Sequence, residues 1–241
     1  FNRNRVTELY GGKPELKGLK RLEEGRDMDE WYLREWAGVD PANGSPLWYT
    51  TDENGKRTTT DSYNKADRVY CGSAAPKFTG GWMNSFSYKG FTLTANFDFV
   101  YGNLLYNQSR ELLDSDGAYA DYNSMKLKSG WKRWEKEGDI ATHPKAINGG
   151  NKNSNKSSSR YLEKGNYFSL RNLSLGYSIP EKLCGKLGLQ RVNVSCSADN
   201  LFTLTPFSGV SPQLSDSSTD GYAGTIYPLS RRIVFGLNVS F

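Results

Sequence analysis

The sequence predicts an all-β fold: part of a transmembrane antiparallel β-barrel with long extracellular loops. Three observations carry this expectation. Large apolar residues recur at every second position in several stretches of about 9–11 residues. The positions between them hold mostly Ser, Thr, Asn and Gly in place of many Lys and Glu, and the connections alternate between very short and very long.

From 91 to 101 the odd positions are Phe91, Leu93, Ala95, Phe97, Phe99 and Tyr101, and the even ones Thr92, Thr94, Asn96, Asp98 and Val100. That alternation is a strand with one apolar and one polar face. It repeats where Leu173, Leu175, Tyr177 and Ile179 alternate with Asn172, Ser174, Gly176 and Ser178. Val192, Val194, Cys196 and Ala198 alternate in the same way with Asn193, Ser195, Ser197 and Asp199. So do Ile233, Phe235, Leu237, Val239 and Phe241 with Val234, Gly236, Asn238 and Ser240. A weaker case precedes them, Trp82, Phe86 and Tyr88 against Met83, Ser85 and Ser87, interrupted by Asn84.

In a soluble sandwich the polar face meets water and carries many Lys and Glu; Ser, Thr, Asn and Gly suit a crowded or water-filled lumen. Asn96, Asp98, Asn172, Asn193 and Asp199 are the lumen-facing candidates, placed to touch whatever fills the barrel or to hydrogen-bond within its wall. Arg232 shares their parity, which keeps its charge out of hydrocarbon.

Lys89-Gly90 is a two-residue turn, and 180–190 is a short link with a helical turn expected at 181–186. The segments 103–166 and 203–230 are long and polar. Short turns on one side and long loops on the other are the asymmetry of outer-membrane barrels. The chain is therefore divided into 1–78 (the end of a barrel strand and a long extracellular loop with a hairpin), 79–102 (barrel hairpin), 103–166 (long extracellular loop), 167–202 (barrel hairpin with a periplasmic link), 203–230 (extracellular loop) and 231–241 (closing strand). Phe1 to Val6 is expected to be the tip of a preceding strand. Tyr88, Phe91 and Phe241 fall near the periplasmic headgroups and Tyr101 towards the outer ones, where amphipathic rings are favoured. Five strands fall short of the roughly eight that the smallest bacterial barrels need, so other strands complete the wall.

Bulk composition agrees. Of 241 residues only 37% are hydrophobic, yet 13% are aromatic, with 15 Tyr and 25 Gly; the mean hydropathy is -0.67. No run of about 18 apolar residues exists to form a membrane helix, whereas strand alternation vanishes in window averages. The net charge of +5 is mild for this length and gives no nucleic-acid signal. Cys71, Cys184 and Cys196 lack metal-ligand spacing, no bridge between them is expected, and His143 is the sole histidine. With no Ser/His/Asp or Cys/His grouping the chain is not expected to be an enzyme.

Binding candidates lie in the loops. Asp40-Pro41-Ala42-Asn43-Gly44 and Asp52-Glu53-Asn54-Gly55 are turn signals flanking Pro46-Leu47-Trp48-Tyr49, predicting a hairpin. Calcium is the one cofactor weighed there, although the ligand spacing of an EF-hand loop is absent. Trp31, Trp36, Trp48, Tyr49, Trp131 and Trp134 are candidates for substrate binding or a lid interface, with packing of the loops as the plainer alternative. Lys126 to Arg160 carries nine Lys or Arg residues, an attraction for anions or lipopolysaccharide phosphates if not simply a solvated loop. The stretch at 148–159, NGGNKNSNKSSS, reads as flexible.

Four runs in order, PKFTGGWMNSFSYKGFTLTANFDFVYG (76–102), YFSLRNLSLGYSIP (167–180), LGLQRVNVSCSADNLFTLT (187–205) and YPLSRRIVFGLNVSF (227–241), resemble the C-terminal end of SusC/RagA-type TonB-dependent transporters of Bacteroidota. EWAGVDPANGSPLWYTTDENGK (35–56) is similar to a loop segment of that family. The resemblance implies a large barrel of the 22-stranded, plugged type in the bacterial outer membrane. It also implies import of bulky nutrients, oligosaccharides or peptides, with a SusD-like surface lipoprotein as lid and the TonB complex acting through an N-terminal part outside this sequence. Barrel-wall contacts with lipid and lipopolysaccharide, and a role for the terminal Phe241 as an assembly signal, follow from it too. A structural or adhesive barrel without transport is the alternative.

Overall fold

The structure is a computed structural model describing residues 1–213, 221–224 and 226–241. Its elements run β1 (Glu15–Lys17), β2 (Lys20–Leu22), β3 (Glu30–Arg34), β4 (Trp36–Val39), β5 (Pro46–Thr51), β6 (Arg57–Thr60), β7 (Arg68–Ser73), β8 (Phe78–Tyr88), β9 (Phe91–Tyr101), β10 (Leu104–Asn107), α1 (Ser109–Leu113), β11 (Leu162–Lys164), β12 (Tyr167–Ser178), α2 (Glu181–Lys186), β13 (Arg191–Leu204), β14 (Tyr222–Ala223) and β15 (Arg232–Ser240). The long strands form one antiparallel sheet in the order β15-β13-β12-β9-β8. Three small sheets, β1-β2-β3-β7, β4-β5-β6 and β11-β10-β14, make up a loop layer connected to one end of it.

Register turns the alternation of each strand into continuous rows. Phe86, Leu93, Leu175, Cys196 and Phe235 are successive partners across the sheet, as are Tyr88, Phe91, Tyr177, Val194 and Leu237. The opposite face runs Ser87, Thr92, Gly176, Ser195 and Gly236. No charged residue stands in the apolar rows, and most of their large side chains are exposed: Trp82 is 62%, Phe235 80% and Leu237 70%. A soluble domain rarely shows so extended an apolar surface. Hydrocarbon is the solvent such a face fits.

β8 and β9 meet in register with Tyr88 opposite Phe91, joined by Lys89 and Gly90 at φ 47° and 87°. Two successive left-handed residues form the tight turn whose twist matches a hairpin. Gly90 is required twice over, since a Cβ there would stand 2.7 Å from the Ser178 carbonyl oxygen.

The strands outrun the stretches marked by simple alternation. β12 begins at Tyr167 and β13 continues to Leu204. A register shift lies between Leu170 and Asn172. Ala95 and Phe97 of β9 enclose Asn96 alone, whereas Leu173 and Leu170 of β12 enclose Asn172 and Arg171, and Ala198 and Phe202 of β13 enclose Asp199 to Leu201. Each step adds a residue, Asn200 taking φ 53°. A bulge switches parity without breaking the sheet, so Phe168 and Leu170 rejoin the apolar face on even numbers.

Two expectations are corrected. Phe1 to Val6 has no strand; it is tied by Asn2 N–H to the Lys77 carbonyl (3.2 Å) and by Val6 to Gly25 and Arg26 (2.8 Å each). Its apolar ends have opposite parity, so no face is defined. The stretch at 148–159 is not a flexible solvated loop: Asn151, Ser154, Asn155 and Ser158 are buried. Asn151 Nδ2 donates to the carbonyls of Gly44 (3.1 Å) and Lys145 (2.9 Å). Short polar side chains can bond to backbone inside a fold as readily as to water.

Candidate functional site

The loop layer is built around two cores, one aromatic and one ionic. Trp31, Leu33, Ala74, Tyr106 and Tyr161 form the aromatic one, brought together from β3, β10 and the turn before β11. Trp31 is fully buried, its Nε1 donating to the Leu104 carbonyl (3.0 Å). Trp48 is also fully buried, edge-on to Trp36 (5.6 Å) and Tyr63 (5.5 Å). Trp134 is buried with Nε1 on the Pro41 carbonyl (2.9 Å), its ring against Gly44. These three indoles pack and offer no free face. Tyr49 lies half-buried under the Arg57 guanidinium (3.7 Å). Trp36 and Trp131 are the two predicted indoles that the fold brings to one open cleft.

The turns at 40–44 and 52–55 consume their own carboxylates. Asp40 accepts from Ala42 N–H (2.9 Å) and Asn43 Nδ2 (2.8 Å); Asp52 accepts from Asn54 N–H (2.9 Å) and Lys56 N–H (2.8 Å). Among the described residues no three His, Cys, Asp or Glu gather as a metal ion would require.

The ionic core is what sequence reasoning missed. Asp114 and Asp116, just after α1, have fully buried side chains and meet three guanidinium groups. Arg110 Nη2 donates to Asp114 Oδ2 (2.9 Å), Arg133 Nη1 to Asp116 Oδ1 (2.6 Å), and Arg160 bonds both acids, with Nη2 to Asp116 Oδ1 at 3.1 Å. Arg110 Nη1 also reaches Glu163 Oε1 (3.0 Å). His143 is buried here, its Nε2 3.0 Å from Asp114 Oδ2 and its Nδ1 2.8 Å from Thr142 Oγ1. A carboxylate only accepts, so Nε2 carries the proton of that bond. Burial pushes the Asp114 carboxyl up, but the His143 hydrogen bond and the charges of Arg160 and Arg110 outweigh it and hold the group below its ordinary value. Burial likewise pushes the Tyr106 and Tyr161 hydroxyls far up, so both stay neutral donors. The only signal in the sequence was Asp114-Ser115-Asp116; its partners lie up to 46 residues away.

The cleft adjoins this core. It encloses about 370 Å³ between Trp36 and Trp131 and is floored by Arg110, Arg160 and His143. The Arg110 guanidinium stacks on Trp131 (4.4 Å) and that of Arg160 on Trp36 (5.0 Å). β11 and Pro206, which contribute to its rim, lead directly into β12 and out of β13. The cleft therefore sits where the loop layer meets the wall.

On the polar face of the wall, Asn96, Asn172, Asp199 and Arg232 form one row. Asn172 Nδ2 donates to Asp199 Oδ1 (2.8 Å) and Arg232 Nη2 to Asp199 Oδ2 (2.7 Å). Asp98 accepts from the Tyr167 hydroxyl (3.1 Å) and pairs with Arg171 Nε (3.1 Å) at the bulge. Asn193 pairs with Ser178 and Asn238 nearer the opposite end. Phe241 follows β15 and is 84% exposed.

A charge-free apolar face, a bulged polar face and long connections at one end only define a piece of an outer-membrane-type β-barrel wall with its loops. No family model matches the chain. It is similar to TonB-dependent receptor P39 of Formosa agariphila, 32% identical over 73% of this chain and 17% of that protein. TonB-dependent receptor P3 of the same organism is 29% identical over 91% of this chain and 23% of that protein. The structure of the RagAB peptide transporter superposes with a TM-score of 0.81 at 26% identity, covering 98% of this chain and 26% of that one. The RagAB peptide importer in the 'closed-closed' state gives 0.79 at 28% identity over the same shares. The chain belongs to the SusC/RagA-type TonB-dependent receptors and spans about a fifth of the curated relatives it matches.

Proposed function

We propose that this segment forms barrel wall and extracellular loops of an outer-membrane importer of bulky nutrients, oligosaccharides or peptides. Energy comes from the TonB complex through another part of the protein, and a SusD-like surface lipoprotein closes the mouth. The observation that carries the reading is the sheet itself: one face is free of charge, almost wholly apolar and largely exposed, while every long connection lies at one end. The likeness to RagAB supports import over a merely structural barrel. On this reading the end with Lys89-Gly90 and α2 is periplasmic, and the polar row of Asn96, Asp98, Asn172 and Asp199, with Asn193, faces the lumen. Phe241 then serves as an assembly signal at the periplasmic end. The reading is tested in cells by deleting the gene for the complete receptor and comparing growth on peptides and on oligosaccharides as sole nutrients. Loss of growth on one class, reproduced in a TonB-deficient strain, is expected. Growth unchanged in both strains on every nutrient would leave only the structural or adhesive alternative.

A further inference from the structure

The cleft between Trp36 and Trp131 carries positive charge that its own acids do not cancel. Arg110, Arg160, Lys128 and Lys164 line it against Glu163 alone. Glu163 is already engaged: Oε1 accepts from Arg110 Nη1 (3.0 Å), Ser208 Oγ (2.6 Å) and Asn107 Nδ2 (3.2 Å), and Oε2 from Ser208 N–H (2.7 Å). Asp114, Asp116 and Glu163 balance Arg110, Arg133 and Arg160 behind it. The two lysines stand outside that balance, with no ion-pair partner among the described residues. Lys128 Nζ lies over the Trp131 ring instead, 4.5 Å from its centroid.

The arginines also keep unused donors. Arg110 Nε and Arg160 Nε find no acceptor although both side chains are more than nine-tenths buried. Both nitrogens are themselves closed to solvent, which leaves the exposed ammonium groups of Lys128 and Lys164 as the charged donors open to a ligand. Indole walls with cationic donors between them suit an anionic group on a partly apolar body. About 370 Å³ admits a group of residue size rather than a length of polymer.

We propose that this cleft binds a carboxylate of a peptide, borne on an acidic side chain or at the C-terminus. The proposal rests on the importer reading, and the likeness to RagAB favours a peptide as the carrier. Lys128 and Lys164 supply the attracting charge and donate to the carboxylate oxygens, and the indoles cover the adjoining methylene groups. Screening of the lysines by salt weakens the complex.

The test uses the full-length receptor in detergent and three acetylated tripeptides: triglutamate amidated at its C-terminus, triglutamine amidated likewise, and trialanine with a free C-terminus. Titration calorimetry is expected to show triglutamate or trialanine binding about tenfold more tightly than triglutamine, and which of them does so identifies the source of the carboxylate. The double variant Lys128→Gln/Lys164→Gln should lose that preference while the barrel keeps its heat-modifiable migration. Equal affinities for all three, binding of none, or a preference that survives in the double variant would each overturn the proposal. Failure of the importer reading is separable: peptide uptake independent of TonB would remove it and leave the preference of the purified protein intact.

Discussion

The wall and the loop layer are stabilised in opposite ways. In the wall, adjacent strands are satisfied by backbone pairing, and side chains divide between two environments that both lie outside the sheet. In the loop layer the short strands of β1 to β7, β10, β11 and β14 supply little pairing, and the interior is filled with indoles, phenols and ion pairs. Membrane strands need only the correct parity at each position, because the solvent on either face does the rest. A compact loop layer standing in water must find a specific partner for each buried charge.

Four perturbations would break or sharpen that contrast. The largest effect is expected for Asp116→Ala, which leaves the buried Arg160 and the partly exposed Arg133 short of a counter-charge. About 3–5 kcal/mol of loop-layer stability should be lost. Protease treatment of intact cells should then cut within 103–166 while the barrel keeps its heat-modifiable migration; resistance equal to wild type would mean that the charge core is dispensable. Next comes Leu175→Arg against Ser174→Arg, neighbours on opposite faces of β12. The first should cost about 2–4 kcal/mol in urea unfolding from lipid vesicles and the second much less. Similar costs would contradict the assignment of faces.

Gly44→Ala is expected to cost about 1–2 kcal/mol, from a left-handed φ of 74° and a Cβ that would stand 2.5 Å from the Trp134 ring. A shift in tryptophan emission with no change in barrel migration is the expected readout. The smallest effect is that of acid. The Lys132 ammonium, with the N–H groups of Glu135 and Lys136, holds the Asp139 carboxyl down at about 2, and Asp114 is held below its ordinary value as well. Groups depressed in the folded state contribute fully above their unfolded value near 3.8 and lose that contribution as pH falls through the folded one. Amide exchange in 110–145, corrected for intrinsic rate, should therefore be flat above about pH 5 and rise below pH 4, with no matching rise in β9 or β12.

The two regions were also unequally legible. For 91–101 the alternation marks the strand end to end, and 181–186 matches α2. The turn signals at 40–44 and 52–55 fall between β4, β5 and β6, which pair as consecutive hairpins. Simple alternation breaks at the bulge, where Arg171 and Asn200 interrupt it; the expected hairpin at 167–202 nevertheless starts with β12 and stops two residues short of the end of β13. Legibility failed in 103–166, whose polar composition conceals buried Asp114, His143, Ser154 and Arg160. Of the six aromatic candidates, Trp36 and Trp131 reach the cleft, whereas the neighbours that give it charge, Arg110 and Arg160, stood out for no local pattern.

The sequence by itself determined the strands, their two faces and the side on which the long connections lie. Those properties depend on the period of two in the backbone and on turn chemistry, both of which act between near neighbours. Tertiary structure alone decided which indoles are buried, which arginines meet Asp114 and Asp116, and that a cationic cleft opens beside them. Pairing between charges tens of residues apart depends on where the chain returns in space, and like residues with other partners would look the same in one dimension.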